Sequence, residues 1–285
     1  MFNRSLSLHP KFLGVFLLLM AALLPQMTQA HGEVHALIEA LSKRIKASPD
    51  SASLYLQRGI LYEGHGDFDR AFADFQTVKL KAPTLKVVDL RIASILSDQG
   101  HFHTATIFIN EFLKESPKNV PGLQMRAMIR SALGENKLAL QDRIAALENA
   151  KPRGPEFFLD VARAVRKANP LDDSTAISWL ERGLAESGFL VSLADYAVSI
   201  EVDSRNYAAA LSRIEDIILR IPSNPQWMVA RAEVLELSGQ SLKSQQAYGA
   251  ALLKIEALPT AKRNTEAMQS LERTVRGVLR LNTQR

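Results

Sequence analysis

The fold is decided by one stretch of sequence, YLQRGILYEGHGDFDRAFADFQTVKLKAP, which runs from Tyr55 to Pro83. Apolar and small residues fall at helical spacing on both sides of Gly66, and Pro83 closes the second run. A glycine turn between two such runs, followed by a proline, predicts a pair of antiparallel helices. Gly59 and Ala71 are small enough for the two helices to cross closely.

The same pattern recurs along the chain at an interval of 34 residues. Five columns keep this interval: Gly66, Gly100 and Gly134; Ala71, Ala105 and Ala139; Gly59, Ala93 and Ala127; Phe68 and Phe102; and Pro83 and Pro117. Five independent columns in one register indicate an internal repeat rather than a coincidence. Each repeat of this length is one helix pair, and neighbouring pairs stack on one another.

The stretch from Tyr55 to Pro83 resembles a tetratricopeptide repeat (TPR). The matching positions are the first aromatic residue, the helix-crossing glycine and four later consensus positions: Tyr55, Gly59, Tyr62, Ala71, Phe75 and Pro83. Arg58 departs from the pattern, because Leu is usual at that place. The resemblance implies an all-α fold, a right-handed superhelical solenoid of about six helix pairs with leading and trailing cap helices. In such a solenoid the first helix of each pair lines a concave groove.

The repeat also predicts the domain organisation of the chain. Residues 31–48 are expected to form an N-terminal cap helix, since apolar residues there have helical spacing. TPR copies 1–3 occupy residues 49–154, and degenerate, TPR-like copies 4–6 occupy residues 155–259. Residues 260–285 are expected to form a C-terminal capping helix and tail, with the helix over Ala261–Leu281.

Residues 1–30 have the parts of a secretory signal peptide in the usual order. Basic residues come first, the apolar run Phe12–Leu24 follows, and Thr28–Ala30 has a small-x-small ending. The alternative is an uncleaved membrane anchor, but the run is short of the roughly 20 residues that a spanning helix needs. We therefore expect cleavage after Ala30, export to the periplasm, and no membrane insertion of the mature chain.

Composition excludes several classes of function. The sequence has no Cys, which excludes disulfides, thiolate catalysis and zinc–thiolate sites. Loss of the signal peptide leaves 33 of the 35 basic residues against 30 acidic ones, a dispersed and nearly even balance. A nucleic-acid partner would need a concentrated basic surface, so none is expected.

The predicted groove residues come from the first helices of copies 1–3. They are Leu56, Ile60 and Glu63 in copy 1, Leu90 and Ser94 in copy 2, and Gln124 and Met128 in copy 3. TPR domains that clamp a carboxylate-terminated peptide use Lys, Arg and Asn at such positions, so this specificity is not expected. The resemblance implies a protein or peptide partner of another kind.

Arginines also recur on the first helices, and they have two interpretations. The residues are Arg58, Arg91, Arg126, Arg130, Arg163, Arg166 and Arg231. One interpretation is a ladder that grips carboxylates of a ligand. The other, which we favour because the arginines share no register, is salt bridges and packing between helices. Trp227 is likewise expected to pack on a neighbouring helix rather than stack on a ligand.

No catalytic residue is predicted, because the sequence has no nucleophile elbow, phosphate loop, HExxH or EF-hand pattern. A non-enzymatic scaffold is the main prediction. His65, His101 and His103 lie in predicted turns and are expected to face water, with a shared metal site as the alternative. Asp172–Asp173 is expected to lie in a loop without a partner.

The amino terminus carries the alternative function. Cleavage after Ala30 would give His31 a free α-amine, and a helix starting near Glu33 would place His35 about one turn away. The amine and two imidazoles could form a T-shaped nitrogen site, which suits Cu(II). This arrangement is similar to the histidine brace of exported copper proteins, but a polar lead-in to a helix is the favoured explanation. The alternative prediction is a copper-handling accessory protein that uses His31 and His35, whereas the main prediction has no cofactor.

Overall fold

The structure is a computed structural model that describes residues 33–282. All regular secondary structure in this range is helical. The chain divides into two compact units between Leu133 and Gly134. Among the described residues, no helix is both long enough and apolar enough to cross a bilayer.

The first unit contains a single helix, two helix pairs and a further helix. These are α1 (residues 33–47), α2 (Ala52–Gly64), α3 (Phe68–Lys81), α4 (Val87–Asp98), α5 (Phe102–Glu115) and α6 (Val120–Ala132). The core lies between the helices, and its largest fully buried side chains are Phe75, Ile92, Ile95, Ile109 and Ile129.

The second unit begins with one helix and continues with three pairs and two closing helices. These are α7 (Asn136–Asn149), α8 (Pro155–Ala168), α9 (Asp173–Ser187), α10 (Val191–Asp203), α11 (Tyr207–Arg220), α12 (Pro225–Leu237), α13 (Ser241–Glu256), α14 (Thr260–Arg263) and α15 (Glu266–Asn282). Its largest fully buried side chains are Phe158, Leu147, Leu180, Leu193, Ile200, Ile214 and Ile217.

The crossing of α2 and α3 depends on a glycine. A Cβ atom added to Gly59 would lie 2.6 Å from Cε1 of Phe75, closer than carbon atoms approach. The Phe75 ring therefore occupies the space that a larger residue would need, and it is fully buried there. The sequence pattern of a small residue opposite an aromatic one reflects this single contact.

Arg58, which departs from the repeat consensus, links three helices. Its guanidinium donates hydrogen bonds to both carboxylate oxygens of Asp74 on α3, at 2.8 and 2.7 Å, and to Oγ of Ser42 on α1 at 2.9 Å. Asp74 is buried, and hydrogen bonding to it raises the pKa of Arg58. A bidentate partner compensates the buried carboxylate, which explains why arginine stands where leucine is usual.

The turn inside a helix pair requires a residue in the left-handed region of backbone space. Gly66, Gly100, Gly134 and Gly239 each have φ between 76 and 79°. Arg205, which lies 34 residues before Gly239, has φ of 60° and takes the same place in the fifth copy. A residue with a Cβ atom costs about 1–2 kcal/mol in this region.

Arg205→Gly is therefore expected to raise the free energy of unfolding by about 1 kcal/mol, since relief of backbone strain outweighs the added freedom of the unfolded chain. Urea unfolding of the two proteins measures the difference. Gly239→Ala is the matched control and should destabilise the chain. Lower stability of Arg205→Gly would contradict strain at this turn.

The expectation that Asp172 and Asp173 lie in a loop without a partner is wrong, because both residues have partners at the start of α9. The Asp172 carboxylate accepts the backbone N–H of Thr175 at 3.3 Å and caps α9. Asp173 is the first residue of α9 and accepts a hydrogen bond from Arg166 Nε at 2.9 Å. Both acids are at a helix N-terminus, where orphan N–H groups and the helix dipole favour negative charge. They are therefore partnered structural residues.

The expectation of one helix over Ala261–Leu281 is wrong, because the segment forms α14 and α15 with a break between them. Thr265 marks the break. Its hydroxyl donates to the carbonyl of Lys262 at 3.0 Å and accepts the backbone N–H of Met268 at 3.4 Å. A threonine side chain that bonds to the local backbone in this way ends one helix and caps the next.

Ion pairs and one buried valine fix α15 at the end of the second unit. Glu272 accepts hydrogen bonds from Arg263 and Arg276, and the two guanidinium groups lower the pKa of Glu272 to about 2. Arg276 also pairs with Glu256 at the end of α13. Val275 is fully buried in a cluster with residues of α12 and α13. The last helix thus covers the apolar face of the final pair.

Candidate partner-binding surface

The seven predicted groove residues lie on α2, α4 and α6 of the first unit, but they differ in exposure. Ile60 is 37% exposed and Met128 is 49% exposed. Gln124 is also exposed. The half-buried members are Leu56, Glu63, Leu90 and Ser94. Ile60 and Met128 therefore present apolar surface to solvent, whereas Leu56 and Leu90 are partly covered within the unit.

Ile60 lies in an apolar groove of about 380 Å³ between α1 and α2. Leu37, Ala40 and Arg44 line its α1 side, and Gln57 and Ile60 line its α2 side. Leu37 is 53% exposed. We name this feature the α1–α2 groove. The sequence pattern predicted α1 only as a cap helix, so these three α1 residues were not predicted.

Packing of α1 on α2 determines which side chains line the groove. Leu41 and Ile45 point inward and form a buried cluster with Leu54. The hydrogen bond from Arg58 to Ser42 ties the two helices at the same level. Leu37, four residues before Leu41, and Arg44, three residues after it, are thereby placed along the groove, as the helical repeat requires.

Glu63, the one charged residue among the predicted groove positions, already has a partner. It accepts a hydrogen bond from Arg91 Nη1 at 2.9 Å, which joins α2 to α4. Lys79 on α3 similarly pairs with the buried Asp89 on α4. These pairs hold neighbouring repeats together, so Arg44 is the charged side chain that lines the α1–α2 groove.

The contacts of the recurring arginines show what these side chains do. The partners are Asp74 for Arg58, Glu63 for Arg91, Asn110 for Arg126, the Tyr196 ring for Arg163, Asp173 and Asp203 for Arg166, and Glu215 for Arg231. These contacts agree with the interpretation as packing and salt bridges rather than a ligand-gripping ladder. Trp227 is buried in the core of the second unit, as expected.

A second apolar groove, of about 370 Å³, lies in the second unit and was not predicted from the sequence. It is formed by α11, α12 and α13, and its lining includes Ile218, Leu219 and Met228. The predicted groove residues all lie on the first helices of copies 1–3, whereas this groove lies in the last two pairs and includes residues of their second helices. The sequence offers one partial signal, the 34-residue spacing of Leu219 and Leu253, of which only Leu219 lines the groove.

The structure places the histidines named in the sequence analysis in different environments. His31 lies outside the described residues, so the copper site at His31 and His35 stays a prediction. His101 and His103 are exposed at the start of α5, and His65 lies instead beside His35, with ring centroids 4.8 Å apart. Within residues 33–282, no group of three or more His, Asp or Glu could hold a metal ion.

Comparisons with known proteins address the fold. No protein-family profile matches the chain. Over 81% of its length, the chain matches 94% of the C-terminal part of a TPR repeat-containing protein from Cytophaga hutchinsonii, with a TM-score of 0.64 and 15% identity. The chain has a tetratricopeptide repeat fold. The all-α TPR prediction is therefore confirmed.

Two further likenesses are to one solved structure and to one human protein. YrrB, described as "a TPR protein with an unusual peptide-binding site", matches with a TM-score of 0.53 and 17% identity, over 64% of this chain and 92% of YrrB. General transcription factor 3C polypeptide 3 of Homo sapiens is 25% identical over 195 residues, which are 66% of this chain. The match spans only 22% of the length of that human protein.

Proposed function

We propose that the chain is a non-enzymatic TPR scaffold that binds a protein or peptide partner through the α1–α2 groove. The observation that carries this proposal is the exposure of Leu37 and Ile60, two large aliphatic side chains that face one groove. The fold supports it, because stacked helix pairs present continuous surfaces for extended partners. The peptide-binding site named for YrrB is a further reason to consider this class of partner.

The chemistry of the groove describes the partner segment. Complete burial of an aliphatic side chain contributes about 1.5–3 kcal/mol, so the exposed halves of Leu37 and Ile60 offer about 1 kcal/mol each. A segment with several aliphatic side chains is therefore required. Arg44 lines the same groove and would pair with a carboxylate of that segment. Met128, which is 49% exposed on α6, is a further apolar side chain that a long partner segment could contact.

Replacement of Ile60 by Glu places a charge in the groove and is expected to weaken partner binding at least about tenfold, or 1.4 kcal/mol. Quantitative capture of partners by the tagged chain, with affinity then measured on the recovered partner, tests this. Leu80→Glu is the matched control, because Leu80 is 84% exposed on α3 and does not line the groove. If Ile60→Glu and Leu80→Glu bind the partner equally well, or lose binding to the same extent, the result would argue against the α1–α2 groove as the binding site.

Export is part of the same proposal, and it rests on the sequence of residues 1–30. The chain would act in the periplasm after cleavage behind Ala30. Amino-terminal sequencing of the protein recovered from the periplasmic fraction should begin at His31. Any other start would contradict this cleavage site and would also remove the α-amine from the alternative copper site.

Copper handling at His31 and His35 remains the alternative proposal. The structure contributes one supporting fact, which is that His35 is exposed near the start of α1. A d–d absorbance band of bound Cu(II), lost in both His31→Ala and His35→Ala, would support this function. Unchanged copper affinity in His31→Ala would eliminate it.

A further inference from the structure

Two histidines that are distant in sequence lie side by side at one end of the first unit. The ring centroids of His35 and His65 are 4.8 Å apart, and the ring planes are inclined by 56°. His35 is exposed on α1, and His65 is half-buried at the end of α2. The contact joins the leading helix to the turn of the first TPR copy.

The backbone holds His65 in one place. Its N–H donates to the carbonyl of Leu61 at 3.0 Å, and the N–H of Asp67 donates to the carbonyl of Tyr62 at 2.9 Å, which closes the turn around Gly66. On the other side, α1 is anchored by Leu41, Ile45 and the Ser42–Arg58 hydrogen bond. Both imidazoles are thus carried by fixed backbone, which lowers the entropy cost of binding a shared ligand.

The spacing of the two rings suits a common metal ion. A metal–nitrogen bond of 2.0–2.1 Å puts the metal about 3.2 Å from the centroid of each ring. With the centroids 4.8 Å apart, two such bonds would meet at an angle of about 100°, between the tetrahedral and the square or octahedral values. The inclined planes also show that the rings do not form a parallel stack.

We propose that His35 and His65 bind one divalent ion of the class that prefers imidazole, which includes Zn²⁺, Ni²⁺ and Cu²⁺. Water completes the coordination shell, because the described residues offer no third His, Asp or Glu for this ion. His65 also borders a polar depression with Asp67 and Asp69, so its side chain can be reached from solvent. This proposal is independent of the free amine of His31, and so of the alternative copper function.

The test is zinc binding to the chelator-treated full chain, with zinc chloride as the probe. Calorimetry should show one ion bound with a micromolar dissociation constant, and side-chain ¹H–¹⁵N spectra should show shifts for His35 and His65. His35→Ala and His65→Ala should each weaken binding at least about tenfold, because a two-ligand site retains little affinity with one imidazole. Zinc should also raise the thermal unfolding midpoint of the unaltered chain and not of the variants.

Three controls distinguish this site from zinc binding elsewhere on the chain and from loss of folding. His101→Ala removes an exposed histidine from the next turn and should leave zinc affinity unchanged. His31→Ala should also leave it unchanged, because the His35–His65 site does not use the His31 imidazole. Circular dichroism of His65→Ala should keep the helical signal, and His35 is exposed, so His35→Ala gives a second variant free of folding effects. Absence of zinc binding to the unaltered chain, or full affinity in either His35→Ala or His65→Ala, would overturn the proposal.

Discussion

Arg213→Met is expected to lower the free energy of unfolding by about 3–5 kcal/mol, because it leaves a buried charge without its partner. Arg213 on α11 donates hydrogen bonds to both carboxylate oxygens of Glu201 on α10, at 2.8–3.2 Å. The Glu201 side chain is 3% exposed. Arg213 also pairs with Glu181 on α9 at 2.6 Å, so one guanidinium connects three helices.

The matched control for this change is Arg220→Met, on the same helix. Arg220 pairs with Asp216 one turn earlier, and both side chains are about half exposed. Exposed pairs of this kind contribute about 0.3–0.5 kcal/mol. Urea unfolding measures both variants. A loss in Arg213→Met no larger than that in Arg220→Met would refute the importance of the buried pair.

A double variant tests the cause. Replacement of Glu201 by Leu together with Arg213→Met removes both charges, and the pair then has no uncompensated member. We expect the double variant to recover most of the stability that Arg213→Met loses. A double variant less stable than Arg213→Met would show that shape, rather than charge, dominates at this place.

Phe75→Ala is expected to lower the free energy of unfolding by about 3–5 kcal/mol, since it empties the crossing of α2 and α3. The Phe75 ring is fully buried and lies against Gly59. Leu80→Ala is the control on the same helix, and it should change stability by no more than about 0.5 kcal/mol, because Leu80 is exposed. Thermal and urea unfolding provide the measurement.

The contact between Gly59 and Phe75 also predicts a coupling. Gly59→Ala alone should destabilise the chain by about 1–3 kcal/mol, because the new Cβ atom has no space. In the Phe75→Ala background the same change should cost much less, since the ring that blocks the Cβ atom is gone. Additive effects of the two changes would contradict the close approach seen at this crossing.

The helix pairs could be predicted from sequence because their determinants are local. Gly66 and its counterparts supply left-handed turns, and small residues such as Gly59 and Ala71 mark helix crossings. The left-handed turn at Arg205 was not predicted, because it is formed by the packing of the neighbouring helices and no glycine marks it in the sequence. The break at Thr265 was missed because threonine is compatible with helix and apolar spacing continues past it.

The candidate site was only partly predictable for a different reason. Repeat position identified Ile60 and Met128, but exposure depends on how far α1 covers α2, which no single repeat encodes. Leu37 and Arg44 became groove residues through that packing. The contact of His35 with His65 joins a helix outside the repeats to a turn inside them, so the 34-residue period gave no indication of it.

The position of α1 has a consequence for regulation. One helix carries His35 near its start and, further along, Leu37 and Arg44, which form a wall of the α1–α2 groove. Because α1 is a single helix packed on α2 through Leu41 and Ile45, a shift of this helix at one place would also move the side chains at the other. With a metal ion at His35 and His65 and a partner in the groove, each ligand would therefore change the affinity for the other, and by the same factor in both directions.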